Sequence, residues 1–266
     1  MNNRRAFTLV ELLVVISIIG LLSTIAIASM GSAREKARIA AQQQYDSSIY
    51  RAKGDQLIGA WNLDETSGTS IADSSGNNNS ATLNGTVASS TYVAGIFGGA
   101  INFDGATNYI RISKAMSVTL NSFAVTAWFK TGSAGDQKIV SADPSNHFIQ
   151  TLAGYLRVCT NNFCAPLGNK LYNDGNWHFA VVTGDDVSTR GYVDGALQVT
   201  QTAYSATISS ATWNIGATGS DNTLKFGGSI DQVRIYGTAL TALAIEKLYA
   251  AGLISHPRLV AETRPL

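Results

Sequence analysis

Glu11 is the single charged residue in the run Phe-Thr-Leu-Val-Glu-Leu-Leu-Val-Val-Ile-Ser-Ile-Ile-Gly-Leu-Leu. A carboxylate inside an apolar membrane helix costs roughly 2.5–3.5 kcal/mol. Such a residue demands a compensating positive charge. Few other groups in the chain have chemical potential. His147, His178 and His256 are scattered and form no ligand set. Asp64 and Glu65 are adjacent, so on a strand they would face opposite sides. A retaining glycosidase needs two carboxylates about 5 Å apart in one cleft, and no alternating Glu-x-Asp-x-Glu run supplies them. His178 follows Trp177 in an apolar stretch, and no motif places a Ser or Cys nucleophile beside it. A half-buried structural histidine is expected there. The chain is expected not to be an enzyme.

Cys159 and Cys164 lie in Leu-Arg-Val-Cys-Thr-Asn-Asn-Phe-Cys-Ala. Two thiols so close suit a metal pair, a redox pair or a local disulfide. Zinc would need two more ligands, and the spacing is not C-x-x-C. A disulfide across a hairpin tip is the favoured reading if the domain lies outside the cytoplasm. Two unpaired buried thiols are the alternative.

The elements that must position these residues fall into two kinds. Among 266 residues, 45% are hydrophobic and 14% charged, with a net charge of +1. An average globular protein carries about 25% charged residues. The near-neutral balance points away from a nucleic-acid partner. The polar surface must come from Ser, Thr, Asn and Gly, which suits an extracellular β-rich domain.

Arg4 and Arg5 precede the apolar run. The positive-inside rule keeps them cytoplasmic and sends the rest outward. A helix from Phe7 to Met30 would be about 36 Å long, enough to cross a bilayer core. Cleavage between Ala6 and Phe7 would create an ammonium about one turn from Glu11. In a staggered bundle that ammonium can meet Glu11 of a neighbouring subunit. From 31 to 56 the pattern becomes amphipathic, with Ala33, Ala37, Ala40, Gln44, Ile49 and Ala52 near helical spacing.

The stretch Arg-Ala-Phe-Thr-Leu-Val-Glu-Leu-Leu-Val-Val-Ile resembles the class III leader and N-terminus of type IV prepilins and pseudopilins. The resemblance implies removal of residues 1–6 by a prepilin peptidase and methylation of the new N-terminal Phe7. It also implies that Glu11 guides assembly. Ala6 stands where that family usually has Gly, so slower cleavage is expected. An ordinary signal peptide cut at Ala26-Ile-Ala28 is the competing reading. It would leave Ser29 at the mature N-terminus.

From Leu57 onward, short apolar stretches alternate with Gly, Asn, Asp and Ser clusters. The expected strands are Ile58–Leu63, Ala100–Phe103, Tyr109–Ile112, Phe123–Lys130, Phe148–Leu152, Trp177–Val182, Gly191–Val193, Trp213–Ile215 and Ile230–Tyr236. Asp-Gly turns lie between several of them. Many short strands without intervening helices predict an antiparallel sandwich. Only Thr241–Ala251 reads as helix, with Thr241 as N-cap. Trp61, Trp128, Trp177 and Trp213 are expected in the core, while Tyr92, Tyr109, Tyr172 and Tyr204 are freer to contact a ligand.

Six pieces carry a second resemblance: Gly-Ala-Trp-Asn-Leu-Asp-Glu (59–65), Asp-Ser-Ser-Gly-Asn (73–77), Ala-Ile-Asn-Phe-Asp-Gly (100–105), Asn-Trp-His-Phe-Ala-Val-Val (176–182), Gly-Tyr-Val-Asp-Gly (191–195) and Gly-Ser-Ile-Asp-Gln-Val-Arg-Ile-Tyr (228–236). In this order they resemble the laminin-G-like, concanavalin-A-like lectin/glucanase jelly roll. The resemblance implies one Ca²⁺, held by Asp73, Asn77 and Asp231. An Asx-type turn at Asp73 and Asn77 is the alternative.

The expected class is α+β: a long N-terminal membrane and pilin helix, then a β-sandwich. The expected divisions are a leader (1–6), a pilin helix (7–56, with 7–30 in the membrane), the sandwich (57–252) and a tail (253–266). The expected protein starts as a single-pass inner-membrane protein and ends in an extracellular homomeric or mixed pilus-like filament. Its sandwich would meet a glycan or cell-surface ligand. A minor tip adhesin, a tethered lectin that never polymerises and a secretion pseudopilin are the alternatives.

Overall fold

The computed structural model describes residues 9–24, 36, 40, 56–88, 91–142, 146–160, 163–202, 207–219 and 221–255. The chain divides into two compact units, residues 1–40 and 41–266.

In the first unit, residues 9–24 form helix α1, and every described side chain on it is exposed. The hydroxyls of Ser17 and Ser23 each donate at 2.8 Å to the carbonyl four residues back, on Leu13 and Ile19. Thr24 bonds Leu21 O at 2.7 Å. These hydroxyls are therefore satisfied inside the helix, as an apolar environment requires. Among the described residues no helix is long and apolar enough to cross a membrane. Ala6, Phe7 and most of the expected 31–56 helix lie outside the described residues.

The second unit is a two-sheet antiparallel jelly-roll sandwich. Its strands are β1 (Leu57–Trp61), β2 (Ser70–Ile71), β3 (Ala81–Asn84), β4 (Tyr92–Ala94), β5 (Gly99–Asp104), β6 (Tyr109–Ile112), β7 (Met116–Thr119), β8 (Phe123–Lys130) and β9 (Gln137–Ala142). They continue as β10 (Asn146–Leu152), β11 (Tyr155–Thr160), β12 (Phe163–Leu171), β13 (Trp177–Gly184), β14 (Ser188–Val193), β15 (Ala196–Thr202), β16 (Thr207–Ala211), β17 (Trp213–Ile215) and β18 (Gly227–Tyr236). Helix α2 (Ala242–Ser255) follows. The first sheet runs β15-β14-β13-β8-β18-β5-β4, with β1 also paired to β18. The second runs β12-β11-β10-β9-β17-β6-β3-β2, and β16 and β7 form a separate pair.

The period-two pattern of β8 explains how the layers meet. Phe123, Val125, Ala127 and Phe129 join a large cluster that draws on both sheets. Ala124 and Trp128 point the other way, into a second cluster with Ile96, Phe97, Phe179, Ile245 and Leu248. The first sheet is thus covered twice, by the second sheet and by α2 with the 96–97 loop. That is why β8 is buried on both faces rather than alternating with polar residues.

Helix α2 is seated by Ile245, Leu248 and Gly252, at i, i+3 and i+7. Its start is capped as expected: Thr241 Oγ1 accepts the Ala244 N–H at 3.2 Å. Gly252 lies so close to the Trp128 ring that a Cβ there would overlap it. Tyr249 stacks on the same ring, centroids 5.7 Å apart.

The long apolar strands sit where the sequence pattern puts them, and Tyr109–Ile112, Phe123–Lys130 and Trp213–Ile215 have the expected bounds. The expected strand over Ile58–Leu63 ends earlier, at Trp61, so Asp64 and Glu65 lie in a loop. Leu63 there takes a left-handed φ of 61°, which an extended strand does not allow.

Candidate functional site

Asp73 is used up by backbone donors. Its oxygens accept N–H groups from Ala60 (2.9 Å), Ser75 (2.9 Å) and Asn79 (2.8 Å), and the Ser75 hydroxyl at 2.8 Å. Asn77 turns its Nδ2 to the carbonyls of Leu57 and Ile58. Asp231, fully buried on β18, accepts instead from Ile96 (2.7 Å) and Phe97 (3.2 Å). Asp231 therefore shares no hydrogen-bond partner with Asp73 or Asn77. Asp73 and Asn77, expected with Asp231 to hold calcium, tie a loop onto β1 through these bonds. Among the described residues no group of three or more His, Cys, Asp and Glu side chains is placed to hold a metal.

Asp64 and Asp231 form a second pair of neighbouring carboxylates. Asp231 Oδ1 is buried without a hydrogen-bond partner. Burial first, and the neighbouring Asp64 charge second among the raising causes, push its acidity well above the ordinary aspartate value. Asp64 Oδ1 accepts the Gly99 N–H at 2.6 Å. A Cβ on Gly95 would strike Asp231 Oδ2, and one on Gly98 would strike Asp64 Oδ1. Both carboxylates thus press on one short loop that only glycine allows. Nothing in the spacing of the sequence singled out Asp64 as the partner of Asp231.

Cys159 on β11 and Cys164 on β12 are Cα partners and are disulfide-bonded, with Cα atoms 4.1 Å apart. Neighbouring polar groups surround the bond. Gln150 Nε2 lies 3.6 Å from Cys164 Sγ, and Arg157 bonds Cys164 O at 3.3 Å.

His178 is buried between two carboxylates, with Nδ1 2.8 Å from Asp194 Oδ2 and Nε2 3.2 Å from Asp174 Oδ1. No described hydroxyl or thiol nucleophile bonds it. All four tryptophans are buried. Tyr172 was expected to be free and is instead buried, its ring edge-on to His178 at 5.0 Å. Tyr204 lies outside the described residues.

Two polar grooves open at opposite ends of β18. One, of about 670 Å³, is lined by Gln56, Leu57, Ser75, Asn77, Asn79, Lys114 and Gly237, beside the point where the sandwich begins. The other, of about 540 Å³, is lined by Gly105, Asp136, Gln137, Asn222, Leu224 and Lys225, near the start of β18. Strand β18 spans ten residues, so the two grooves are roughly 30 Å apart. The second is built by three turns. The Asp104 carboxylate ties down the first, accepting Ala106 N–H at 2.8 Å and Thr107 N–H at 2.7 Å. Those bonds and the Thr107 hydroxyl outweigh partial burial and lower its pKa to about 2. Asn222 and Leu224 hold left-handed φ values of 58° and 47°. Asn222 Oδ1 accepts from Arg111 and from Asn214 Nδ2. Gln137 is buried beside it, with Oε1 unpartnered. Only Gly105 of this groove was named from the sequence, as part of a turn and not of a site: the members sit in three separated turns with no common spacing.

Comparisons place these features among known proteins. Residues 1–27 match the prokaryotic N-terminal methylation motif. Residues 104–246 match the concanavalin A-like lectin/glucanases superfamily. No curated protein matches the chain. Among solved structures, domain 4 of AbnA, an extracellular GH43 arabinanase from Geobacillus stearothermophilus solved with arabinotriose, is 23% identical with a TM-score of 0.58. The match covers 73% of this chain and 98% of that domain. The binding domain of Paraclostridial Mosquitocidal Protein 1 is 16% identical, TM-score 0.58, over 74% of this chain and 52% of that one. The binding domain of botulinum neurotoxin serotype D/C is also 16% identical, TM-score 0.54, over 75% and 53%. The chain spans about half the length of those toxin domains. At these identities the likeness is one of fold. With its sandwich matched over more than half of its length, the chain belongs to the concanavalin A-like lectin/glucanases superfamily, and it carries a prokaryotic N-terminal methylation motif ahead of that fold.

Proposed function

We propose that this chain is a subunit of a pilus-like filament that displays a non-enzymatic, carbohydrate-binding sandwich at the bacterial cell surface. The observation that carries this reading is the succession, in one chain, of a methylation motif over residues 1–27 and a lectin-like sandwich. The motif supports processing by a prepilin peptidase at Ala6–Phe7 and hand-over to a pilus assembly machinery. Residues 7–30 hold the precursor in the inner membrane. The Phe7 ammonium of one subunit then pairs with Glu11 of the next, offsetting the cost of a carboxylate on an apolar helix.

The fit of Asp64 and Asp231 to a hard cation supports one Ca²⁺ per sandwich. These two side chains would hold it, and its charge would cancel their mutual repulsion. Its role is structural, since it would tie the 95–99 loop to β18.

Three experiments test the reading. N-terminal sequencing of mature protein is expected to begin at Phe7, and a start at Ser29 overturns the processing. Electron microscopy of cells carrying Glu11→Ala is expected to show loss of the filament, and unchanged filaments exclude the assembly role. The full-length protein is expected to bind on a glycan array without hydrolysing any glycan there, and release of sugar would make it an enzyme.

A further inference from the structure

We infer that Lys138 and Gln150 are a self-modification site, at which the lysine amine displaces the glutamine carboxamide nitrogen and leaves an isopeptide bond between β9 and β10. This cross-link would form whether or not the sandwich binds a glycan.

Burial singles out Lys138. It is 3% exposed, and it is the one buried lysine among the described residues. Its backbone is fixed, because its N–H bonds Leu224 O at 3.0 Å. Gln150 is 4% exposed and is its Cα partner across the strand pair. Residues directly opposite each other place their side chains on one face of the sheet. The amine therefore meets the carboxamide: Lys138 Nζ donates to Gln150 Oε1. The carboxamide is also held at its other end, with Nε2 3.6 Å from Cys164 Sγ.

An ammonium buried against an uncharged amide is costly unless it is paired. Among the described residues one carboxylate reaches it. Asp136 Oδ1 lies 2.9 Å from Nζ, on a side chain that is 38% exposed. Turning the amine into a secondary amide removes the buried charge and keeps a hydrogen-bonding group in its place.

The chemistry needs no outside reagent. An amine attacks only in its uncharged form, and Asp136 Oδ1 is placed to accept the proton that Nζ must shed. Nζ then adds to Gln150 Cδ. A C–N bond forms, and the bond from Cδ to Nε2 breaks. Nε2 takes a second proton from the attacking nitrogen and leaves as ammonia. The ammonia collects the proton held by Asp136 and departs as an ammonium ion. In sum, one ammonium and one primary amide become one secondary amide and one ammonium ion, and nothing is oxidised or reduced. Holding the two groups together makes the step intramolecular, which in well-oriented cases equals an effective concentration of about 10⁵–10⁸ M. Burial keeps out the water that would hydrolyse the carboxamide instead.

The bond would complete a pattern. Strands β12, β11, β10 and β9 form one end of the second sheet. The disulfide already ties β11 to β12. A bond from Lys138 to Gln150 ties β9 to β10 beside it, so each of the two hairpins carries its own covalent link. Unlike the disulfide, the second link survives a reducing environment.

The test is mass spectrometry of the full-length chain after reduction and cleavage by trypsin, which cuts after Lys and Arg. Lys130, Lys138 and Arg157 bound the relevant peptides. The expected product is one peptide spanning 131–157, uncut after Lys138 and lighter by one ammonia. Its fragment ions should show no separation between Lys138 and Gln150. Separate peptides 131–138 and 139–157 at their sequence masses overturn the inference. Lys138→Arg and Gln150→Met should each abolish the ammonia loss, and its persistence in either variant overturns the pairing. Asp136→Ala should lower the linked fraction about tenfold or more at equal times after synthesis, and an unchanged fraction overturns its part as base. Should a variant fail to fold, the fragment ions of the parent peptide place the bond, and a bond between any other pair overturns the inference.

Discussion

Asp194 holds the β13 strand by two bonds at once: Oδ2 lies 2.8 Å from His178 Nδ1, and Oδ1 accepts the Phe179 N–H at 2.9 Å. The turn after β14 is thereby pinned to β13. Burial alone would lower the His178 pKa. The hydrogen bond and charge of Asp194, followed by those of Asp174, outweigh it and leave the pKa above 6.5. Asp174 is partly buried, which opposes ionisation, but the Asn176 N–H and His178 hold its pKa below 3.8. A histidine pKa raised on folding gives stability that is complete below the unfolded value and is lost as pH rises through the folded one. The Asp174 contribution is present above its unfolded value and is lost on acidification. The clamp is thus strongest between roughly pH 4 and 6.5. Tm of the full-length chain is expected to fall from pH 6 toward pH 9, and His178→Gln should flatten that slope. Parallel slopes would mean that the pair is not the titrating element. His178→Ala should cost about 1–3 kcal/mol throughout.

Gly252 and Trp128 form the tightest seat for α2. Replacing Gly252 by Val puts branched carbons where the indole ring lies. Overpacking of this kind costs about 1–3 kcal/mol. The expected readout is early loss of the helix in hydrogen exchange, with sheet amides retained. Loss of the whole sandwich together would instead make α2 part of one cooperative unit.

The disulfide closes a short loop, Cys159 to Cys164. In the chain-entropy model this contributes about 2 kcal/mol. Replacing both cysteines by Ser should lower Tm by a few degrees and leave the protein folded. A far larger loss would show that packing around Cys159, which is fully buried, dominates.

Calcium should raise Tm, and EGTA should lower it, through Asp64 and Asp231. Asp64→Asn is expected to abolish that response, whereas Asn77→Ala should keep it. Equal responses in parent and Asp64→Asn would remove the ion from this pair. Asp231→Ala also strands the Ile96 and Phe97 N–H groups, so its expected cost of about 2–4 kcal/mol does not by itself report on the metal.

The processing motif is local and was legible in the sequence, because positive charge, cleavage position and Glu11 follow one another within a few residues. The apolar strands β6, β8, β13, β17 and β18 were legible too, since burial on a sheet imposes composition on each strand separately. Strands β2, β3 and β4 were not: β2 and β3 each carry one large apolar residue, Ile71 and Leu83, and no side chain of β4 is fully buried. Tyr172 was misjudged for a related reason: its burial comes from His178, which reaches it only after β12 and β13 are in place. The loop-capping role of Asp73 was not legible, because a carboxylate in Ala-Asp-Ser-Ser-Gly reads the same whether it binds an ion or caps a loop, and its bonds to the N–H groups of Ala60 and Asn79 form only in the fold.

The sequence by itself thus determined that the chain carries an N-terminal methylation motif and that its body is a β-sandwich, since both depend on short-range order and composition. Tertiary structure decided which of the scattered polar residues meet. Asp64 neighbours Asp231, and Asp136 and Gln137 share a groove with Asn222, although each meeting joins residues more than eighty positions apart. Spacing along the chain cannot encode such meetings. They follow from sheet register and from loops that only burial and backbone hydrogen bonding hold in place.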